Sequence, residues 1–370
     1  MRSRESSPAP ASPGHSPQER TSAKTRRLSL VNGLFEQRAL IVLAVVVVIF
    51  SVLSDTFLTV PNLITMTKHV AINAVIALGM LLVILRGGID LSVGSIVGLT
   101  AVAAGELLEG LDLGFAGLVA YPPVWGVIAL CVAVGMLVGL VNGIVITRFK
   151  VAPFIATFAM LYVARGIALL ISGGSTYPDL TGDPELGNTG FEVIGDGHLF
   201  GLPLAIWIMA LLAFAITLVL TRTPFGRWLY AAGGNERAAE LSGVPIDRVK
   251  TAVYVISGAC AALAGLVVTS ELNAATPLAG ETYELNAITA VILGGAALSG
   301  GRGTVRGTLV GAFVIGFLSD GLILVGVSPF WQTIIKGAVL VVAVALDQAQ
   351  RRFQRRGAAV SAMAAGRRPG

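Results

Sequence analysis

Residues 221–250 read TRTPFGRWLYAAGGNERAAELSGVPIDRVK, a charged insert between long apolar runs with a very short helix written at its centre. Asn235 is an N-cap by residue type and Glu236 falls in the first turn, where the helix dipole favours an acid. Gly243 followed by Pro245 then stops the helix within about two turns. Isolated helices shorter than roughly 12 to 15 residues are marginal in water, so this one rests on its own protein or on something docked from outside. Ala238, Ala239 and Leu241 offer a small apolar face for that contact; a plain connecting loop is the alternative reading.

The flanking runs set the fold class. Hydrophobic residues make up 55% of the chain and charged residues 13%, with a mean hydropathy of +0.81, against roughly 25% charged residues in soluble domains. Runs close to the ~20 apolar residues that cross a bilayer recur along the chain, which predicts an all-α, polytopic membrane bundle of about ten spans. They fall at 39–53, 70–85, 91–108, 124–146, 154–171, 203–220, 249–270, 285–298, 305–325 and 330–346, the eighth short enough for a half-helix. Residues 1–38, rich in Ser, Pro and Arg at their start, read as a disordered cytoplasmic tail without a cleavable signal. Residues 39–346 form the transmembrane domain, with 221–250 as a cytoplasmic loop, and 347–370 form a basic cytoplasmic tail.

Charge placement tests this topology, because cytoplasmic loops carry the excess of Lys and Arg. With both termini inside, the inner loops hold Arg86, Arg148, Lys150, Arg222, Arg227, Arg237, Arg248, Lys250, Arg302 and Arg306. Lys68 alone breaks the pattern, and the outer segment 172–202 carries Asp179, Asp183, Glu185, Glu192 and Asp196 with no Lys or Arg. The net charge of +5 is therefore mostly a topology signal, and a nucleic-acid partner is not implied. Cys131 and Cys260 lie within spans as small apolar residues, and His15, His69 and His198 are scattered, so no metal cluster or disulfide framework is written here.

Gly135, Gly139 and Gly143 recur at four-residue spacing, which lines one face of the fourth span with hydrogen and lets a neighbouring backbone approach. Shorter rows of the same kind occur at Gly94 and Gly98, at Ser257, Ala261 and Gly265, and at Gly307 and Gly311; such rows are packing devices. A weak internal echo links VILRGGIDLS (83–92) with VILGGAALS (291–299), compatible with a parallel duplication or with chance between apolar, Gly-rich segments.

Ionisable groups within spans are costly and so are candidates for function. Arg165, Asp320 and Lys336 fall in the outer halves of their spans, where Asp320 and Lys336 would pair or snorkel. Asp90, in GGIDLSVGS, is placed to cap the third span with help from Ser92. Asn73, Asn142, Asn273 and Asn286 sit near span ends, to bind hydroxyl-rich solutes or tie helices together. No carboxylate stands at a bilayer centre as an ion relay would require, which disfavours an ion-coupled carrier. The chain has no GxxxxGK[ST] loop, no GxSxG elbow and no HExxH pair, so it is read as a transport subunit and not as an enzyme.

Five stretches together resemble the permease subunits of bacterial ATP-binding cassette (ABC) importers for ribose, xylose, arabinose and galactose. They are FLTVPNLITM (57–66), GGIDLSVGSIVGLTA (87–101), GLVNGIVITRFKVAPFIATFAMLYVARGIALLISGG (139–174), TPFGRWLYAAGGNERAAELSGVPIDRVK (223–250) and AITAVILGGAALSGGRGTVRGTLVGAFVIG (287–316). The resemblance implies a ten-helix, multi-pass protein of the bacterial plasma membrane. It would pair with a second copy or a related permease, sit on cytoplasmic ATPase subunits and receive sugar from an extracytoplasmic binding protein. The chain would bind no cofactor, ATP and magnesium residing on the ATPase. Residues 233–246 resemble the family's coupling helix, so Asn235, Glu236, Arg237, Ala239, Glu240 and Leu241 would carry the ATPase contact. Relatives of the same type that import nucleosides, an autoinducer or branched-chain amino acids are the alternative.

Overall fold

The structure is a computed structural model and describes residues 38–112, 119–345 and 348. The tails expected at 1–38 and 347–370 lie outside these residues, apart from Arg38 and residue 348. Helices dominate. In chain order they are α1 (Arg38–Leu53), α2 (Val60–Leu85), α3 (Val93–Glu109), α4 (Val124–Arg148), α5 (Pro153–Ser172), α6 (Val193–Asp196), α7 (Leu204–Arg222), α8 (Pro224–Gly234), α9 (Glu236–Leu241), α10 (Ile246–Leu272), α11 (Tyr283–Leu293), α12 (Val305–Leu324) and α13 (Pro329–Ala345). Three antiparallel ladders of two residues per strand accompany them. They pair β1 (Leu111–Asp112) with β2 (Val119–Ala120), β3 (Tyr177–Pro178) with β6 (Ala274–Ala275), and β4 (His198–Leu199) with β5 (Leu202–Pro203).

Each expected span coincides with a helix, and among the described residues six helices are long and apolar enough to cross a membrane. Local chemistry sets several boundaries. Pro153 occupies the first turn of α5, where its missing N–H costs nothing, and Gly173 ends the helix in a left-handed conformation at φ 59°. Thr304 caps α12 by accepting a hydrogen bond from Gly307 N at 3.1 Å. α2 begins ten residues before the expected run because Thr65, Thr67, Lys68 and His69 interrupt the hydropathy without interrupting the helix. α11 stops at Leu293, a half-helix as the sequence suggested.

The centre of the bundle is α2, buried almost continuously from Val70 to Leu85, with α10, α11 and α12 against it. α4 packs most extensively on α10, and the glycine row explains how. A Cβ on Gly135 would overlap the Gly258 carbonyl, one on Gly139 the Tyr254 carbonyl, and one on Gly143 would lie 2.8 Å from Thr251 Cα. Apolar side chains gain little from helix–helix contact in lipid, so backbone closeness of this kind supplies the packing energy. The opposite face of α4 is apolar and exposed, Trp125 and Leu137 included, as a lipid-facing surface requires. Cys131 and Cys260 are buried and free.

The segment 172–202, expected as an acidic outer segment, is a cap anchored by a few buried residues at the end of the bundle remote from α9. Phe191 is fully buried beside Ala104, Leu108 and Leu266. Ser270 Oγ donates to Phe191 O at 2.6 Å and accepts from Gly195 N at 2.7 Å. The buried Asn188 donates through Nδ2 to Leu108 O at 2.9 Å. Lys68, the lone exception to the charge pattern, pairs with Asp196 at 2.9 Å and Glu271 at 3.2 Å, which ties this cap to α2 and α10.

The packing argument predicts that Gly139→Ala, which drives a methyl into a backbone carbonyl, destabilises the detergent-solubilised protein by about 1 to 3 kcal/mol. Gly166→Ala on α5, where a Cβ meets nothing within 4 Å, is the control. Equal thermal midpoints for the two variants would refute the close α4–α10 contact.

Candidate functional site

The insert 221–250 folds as two helices joined at a cap. α8, absent from the sequence reading, starts at Pro224, where Thr223 Oγ1 accepts from Gly226 N at 3.4 Å, and buries Gly226, Leu229 and Ala232. Asn235 then caps α9, its Oδ1 accepting from Ala238 N at 3.0 Å. α9 has six residues, and Ala239 is the one it buries, against Ala232, Ile246 and Val244.

The expected apolar face of Ala238, Ala239 and Leu241 does not form. Two residues apart on a helix means roughly 200° of rotation, so Ala239 and Leu241 point to opposite sides. Ala239 faces the protein, whereas Leu241 is 79% exposed. Ala238, Arg237 and Glu240 are exposed with it. The structure thus divides the six residues assigned to partner contact: Asn235 caps, Ala239 anchors, Glu236 holds cations, and Arg237, Glu240 and Leu241 face outward.

The α9 support is built partly from backbone. Gly233 at the end of α8 lies so close to Leu85 that a Cβ would overlap the Leu85 carbonyl, and Gly301 N donates to that same carbonyl at 2.8 Å. Tyr230 Oη donates to Gly303 O at 2.8 Å. The insert, the end of α2 and the loop after α11 therefore meet at one junction. Across it, Glu236 pairs with Arg86 at 3.0 Å and with Lys250 at 2.7 Å. Partial burial pushes the Glu236 carboxyl upward, but hydrogen bonds from Lys250 and Arg86 outweigh it and hold the group below its ordinary 4.5. A lowered value means the pairing contributes fully above the ordinary carboxylate range and is lost only as pH falls through the lowered value. At neutral pH the clasp is closed.

Four residues beyond Arg86, Asp90 is fully buried. Its Oδ1 accepts from Ser92 N at 3.0 Å and Ser92 Oγ at 2.6 Å, and its Oδ2 from Ser257 Oγ at 2.9 Å. Asn142 Nδ2 donates to Ser92 Oγ at 2.9 Å. Capping of α3 by the Asp90 side chain, as expected, is not what forms: the helix starts at Val93 without a side-chain cap. The carboxylate instead joins the α2–α3 turn to α10, and through Ser92 to α4. Ser257, counted in the sequence only as a small packing residue, is its missed partner.

The other polar candidates lie elsewhere. Arg165 staples the loop before α11 onto α3, donating to Pro277 O, to Ala279 O at 3.0 Å and to Gly94 O at 3.2 Å. Asp320 faces His69 at 3.1 Å, and the expected pair with Lys336 does not close. Asn73 donates to His69 O at 3.2 Å within α2, and Asn286 stands in the first turn of α11. Asn273 ends α10 in a left-handed conformation and accepts from Leu180 N at 3.0 Å. His69 is sixteen residues from Leu85, roughly 24 Å along one helix, so the Asp320 group and the α9 site occupy opposite ends.

Comparison with known proteins fits this arrangement. The sequence pattern of the family described as branched-chain amino acid transport system / permease component matches residues 62–344. The ribose import permease protein RbsC of Bacillus subtilis is 45% identical over 308 residues, covering 83% of this chain and 90% of the relative. RbsC of Escherichia coli K12 is 41% identical over 314 residues, covering 85% and 94%. The galactose/methyl galactoside import permease protein MglC of the same strain is 36% identical over 329 residues, covering 86% and 96%. No solved structure gives a significant match. The chain, a multi-pass membrane protein, belongs to the permease-component family whose members include these sugar import permeases.

Proposed function

We propose that this chain is the membrane-spanning subunit of an ABC importer and forms, with a second copy or a paralogue, the pathway for a ribose-like monosaccharide. In this reading about ten helices span the bacterial inner membrane, both termini are cytoplasmic, and an extracytoplasmic binding protein delivers the sugar. ATP and magnesium belong to the partner ATPase, which performs the hydrolysis. The observation that carries the proposal is α9: a six-residue helix anchored through Ala239 that turns Leu241, Arg237 and Glu240 outward. The cap, Ala239 and the Glu236 pairs hold this short helix from behind and leave its outward surface to a partner, which we assign to a groove on the ATPase.

Transport then proceeds by alternating access. Closure of the two ATPases displaces α9, and the close-packed bundle responds by switching between discrete arrangements, because glycine-lined interfaces do not deform continuously. At the opposite end the cap presents Asp183 and Glu185 to solvent, while Asp196 is committed to Lys68. Asp183 and Glu185 are therefore assigned to docking of a basic surface on the binding protein.

Three outcomes test the proposal. In a host without its own ribose importers, the chain expressed with its ATPase and binding protein takes up ribose, and inactivating the ATPase stops uptake while collapse of ion gradients does not. Persistent uptake with a dead ATPase would return the chain to ion-coupled carriers, and uptake of leucine in place of ribose would change the substrate class. Arg237→Glu combined with Leu241→Asp inserts normally in the membrane but loses ATPase co-purification; full transport by this variant removes α9 from the contact. Asp183→Lys with Glu185→Lys weakens binding-protein association and flattens its salt dependence, and unchanged association would discard the cap as the docking surface.

A further inference from the structure

The echo between residues 83–92 and 291–299 has a structural counterpart. At the end of α2, Gly87 N donates to Ile84 O at 2.9 Å and Gly88 N to Val83 O at 3.0 Å. At the end of α11, Gly295 N donates to Ile292 O at 2.9 Å and Ala296 N to Val291 O at 3.1 Å. Gly87 and Gly295 both adopt the left-handed conformation, at φ 85° and 92°. Both helices thus end in the same left-handed turn, closed by the same pair of backbone bonds. The loop that follows the second turn touches the first, since Gly301 N donates to Leu85 O at 2.8 Å and Ser299 O would lie 3.4 Å from a Cβ on Gly87.

The copies differ at one informative position. Where the first turn has Arg86, the second has Gly294, against which α12 crosses so closely that a Cβ would overlap the Gly307 carbonyl. No side chain fits there. In the first turn the position is open, and its side chain runs to α9. The Arg86 side chain is only 6% exposed, while its partner Glu236 is half exposed. A guanidinium held out of water is costly unless paired. Arg86 offsets part of this cost with the Glu236 ion pair at 3.0 Å and a bond from Nη1 to Ala232 O at 3.4 Å, while its Nε has no hydrogen-bond partner, so the side chain is held here by charge more than by hydrogen bonds.

α10 follows α9 along the chain through residues 242–245, so its movement with α9 is ensured by covalent connection. α2 has no such connection: its end meets α8 by backbone contact between Gly233 and Leu85, and among the described residues the link from an α9 side chain to that end is the ion pair between Glu236 and Arg86. Beyond Arg86 the chain passes through Gly87 and Gly88 to Asp90, which is locked to Ser257 of α10 and, through Ser92, to Asn142 of α4.

We propose that Arg86 is a positioning residue for transport, the strut through which displacement of α9 reaches the inner turn of α2 and the Asp90 clasp. This rests on the reading of α9 as the ATPase contact.

The test uses the whole importer in liposomes, with its ATPase and ribose-loaded binding protein, and reads ATPase co-purification together with ribose moved per ATP hydrolysed. Arg86→Gln and Glu236→Gln retain the ATPase, but ribose per ATP falls by about ten-fold, within the usual range of coupling between sites. Arg86→Lys, which restores the charge, recovers most of the ratio. Lys250→Gln, which cuts the side-chain tie to α10 and leaves the covalent one, stays within about three-fold of the parent. An unchanged ratio in Arg86→Gln, or in Glu236→Gln should the first variant fail to fold, overturns the strut. Loss of ATPase binding in both Gln variants also overturns it, by making the pair part of the docking surface. Retained ATPase binding in Arg237→Glu with Leu241→Asp overturns the α9 reading itself, a separate failure.

Discussion

A helix in lipid loses nothing by turning leucine outward, so the hold of α4 on α10 comes from the distance at which their backbones meet. Gly135 and Gly139 on one helix and Gly258 on the other remove the atoms that would keep those backbones apart. The same device recurs where Gly307 and Gly311 of α12 meet Gly294 at the end of α11 and Ala290 within it. Small residues cannot take up slack as long side chains do, so these contacts are made well or not at all. A bundle held in this way moves by changing which rigid pieces are in contact, and that is the behaviour alternating access requires.

Close packing also decides where polar groups stand. Asp90 is buried, which is tolerable because three donors converge on it from the chain itself. That convergence needs α10 and the α2–α3 turn near enough to share one carboxylate, with α4 reaching it through Asn142 and Ser92. Arg165 follows the same logic with the charges reversed, its guanidinium satisfied by carbonyls of an irregular segment and of α3. Such groups fix register and orientation more than they add stability, since their desolvation offsets much of what their bonds contribute.

Most of the helices were legible in the sequence because ~20 apolar residues in a row have few other uses. The exceptions are instructive. The first ten residues of α2 were hidden by Lys68 and His69, polar side chains whose partners, Asp196, Glu271 and Asp320, are remote in sequence. Span depth alone matches Asp320 to Lys336, and depth does not say which helices are neighbours. The bonds of Arg165 end on backbone carbonyls, which every residue has and no sequence pattern marks. α8 is hidden in the sequence because its 11 residues are too short to register as a span and lie inside the charged insert, between Pro224 and the Gly233–Gly234 pair. The α9 cap and stop, by contrast, are local chemistry: Asn235 bonds to Ala238 N, and Gly243 takes φ 83°. Only the split of its face between Ala239 and Leu241 required seeing what lies behind it.

The two matching turns carry the argument further than either does alone. A left-handed turn ending a buried helix leaves one side-chain position just before its glycine, and the surroundings decide what that position is for. Under α11 the crossing of α12 closes it, so Gly294 serves packing and the turn has no side chain through which anything outside can act. Under α2 the position stays open toward the junction of Gly233 and Gly301, and an arginine fills it. One turn is thereby built into the rigid core while its counterpart, packed on the loop that follows it, reaches the exposed α9. A bundle that must convert a push at its margin into a shift at its centre needs both: a fixed element to resist and a reachable one to move against it.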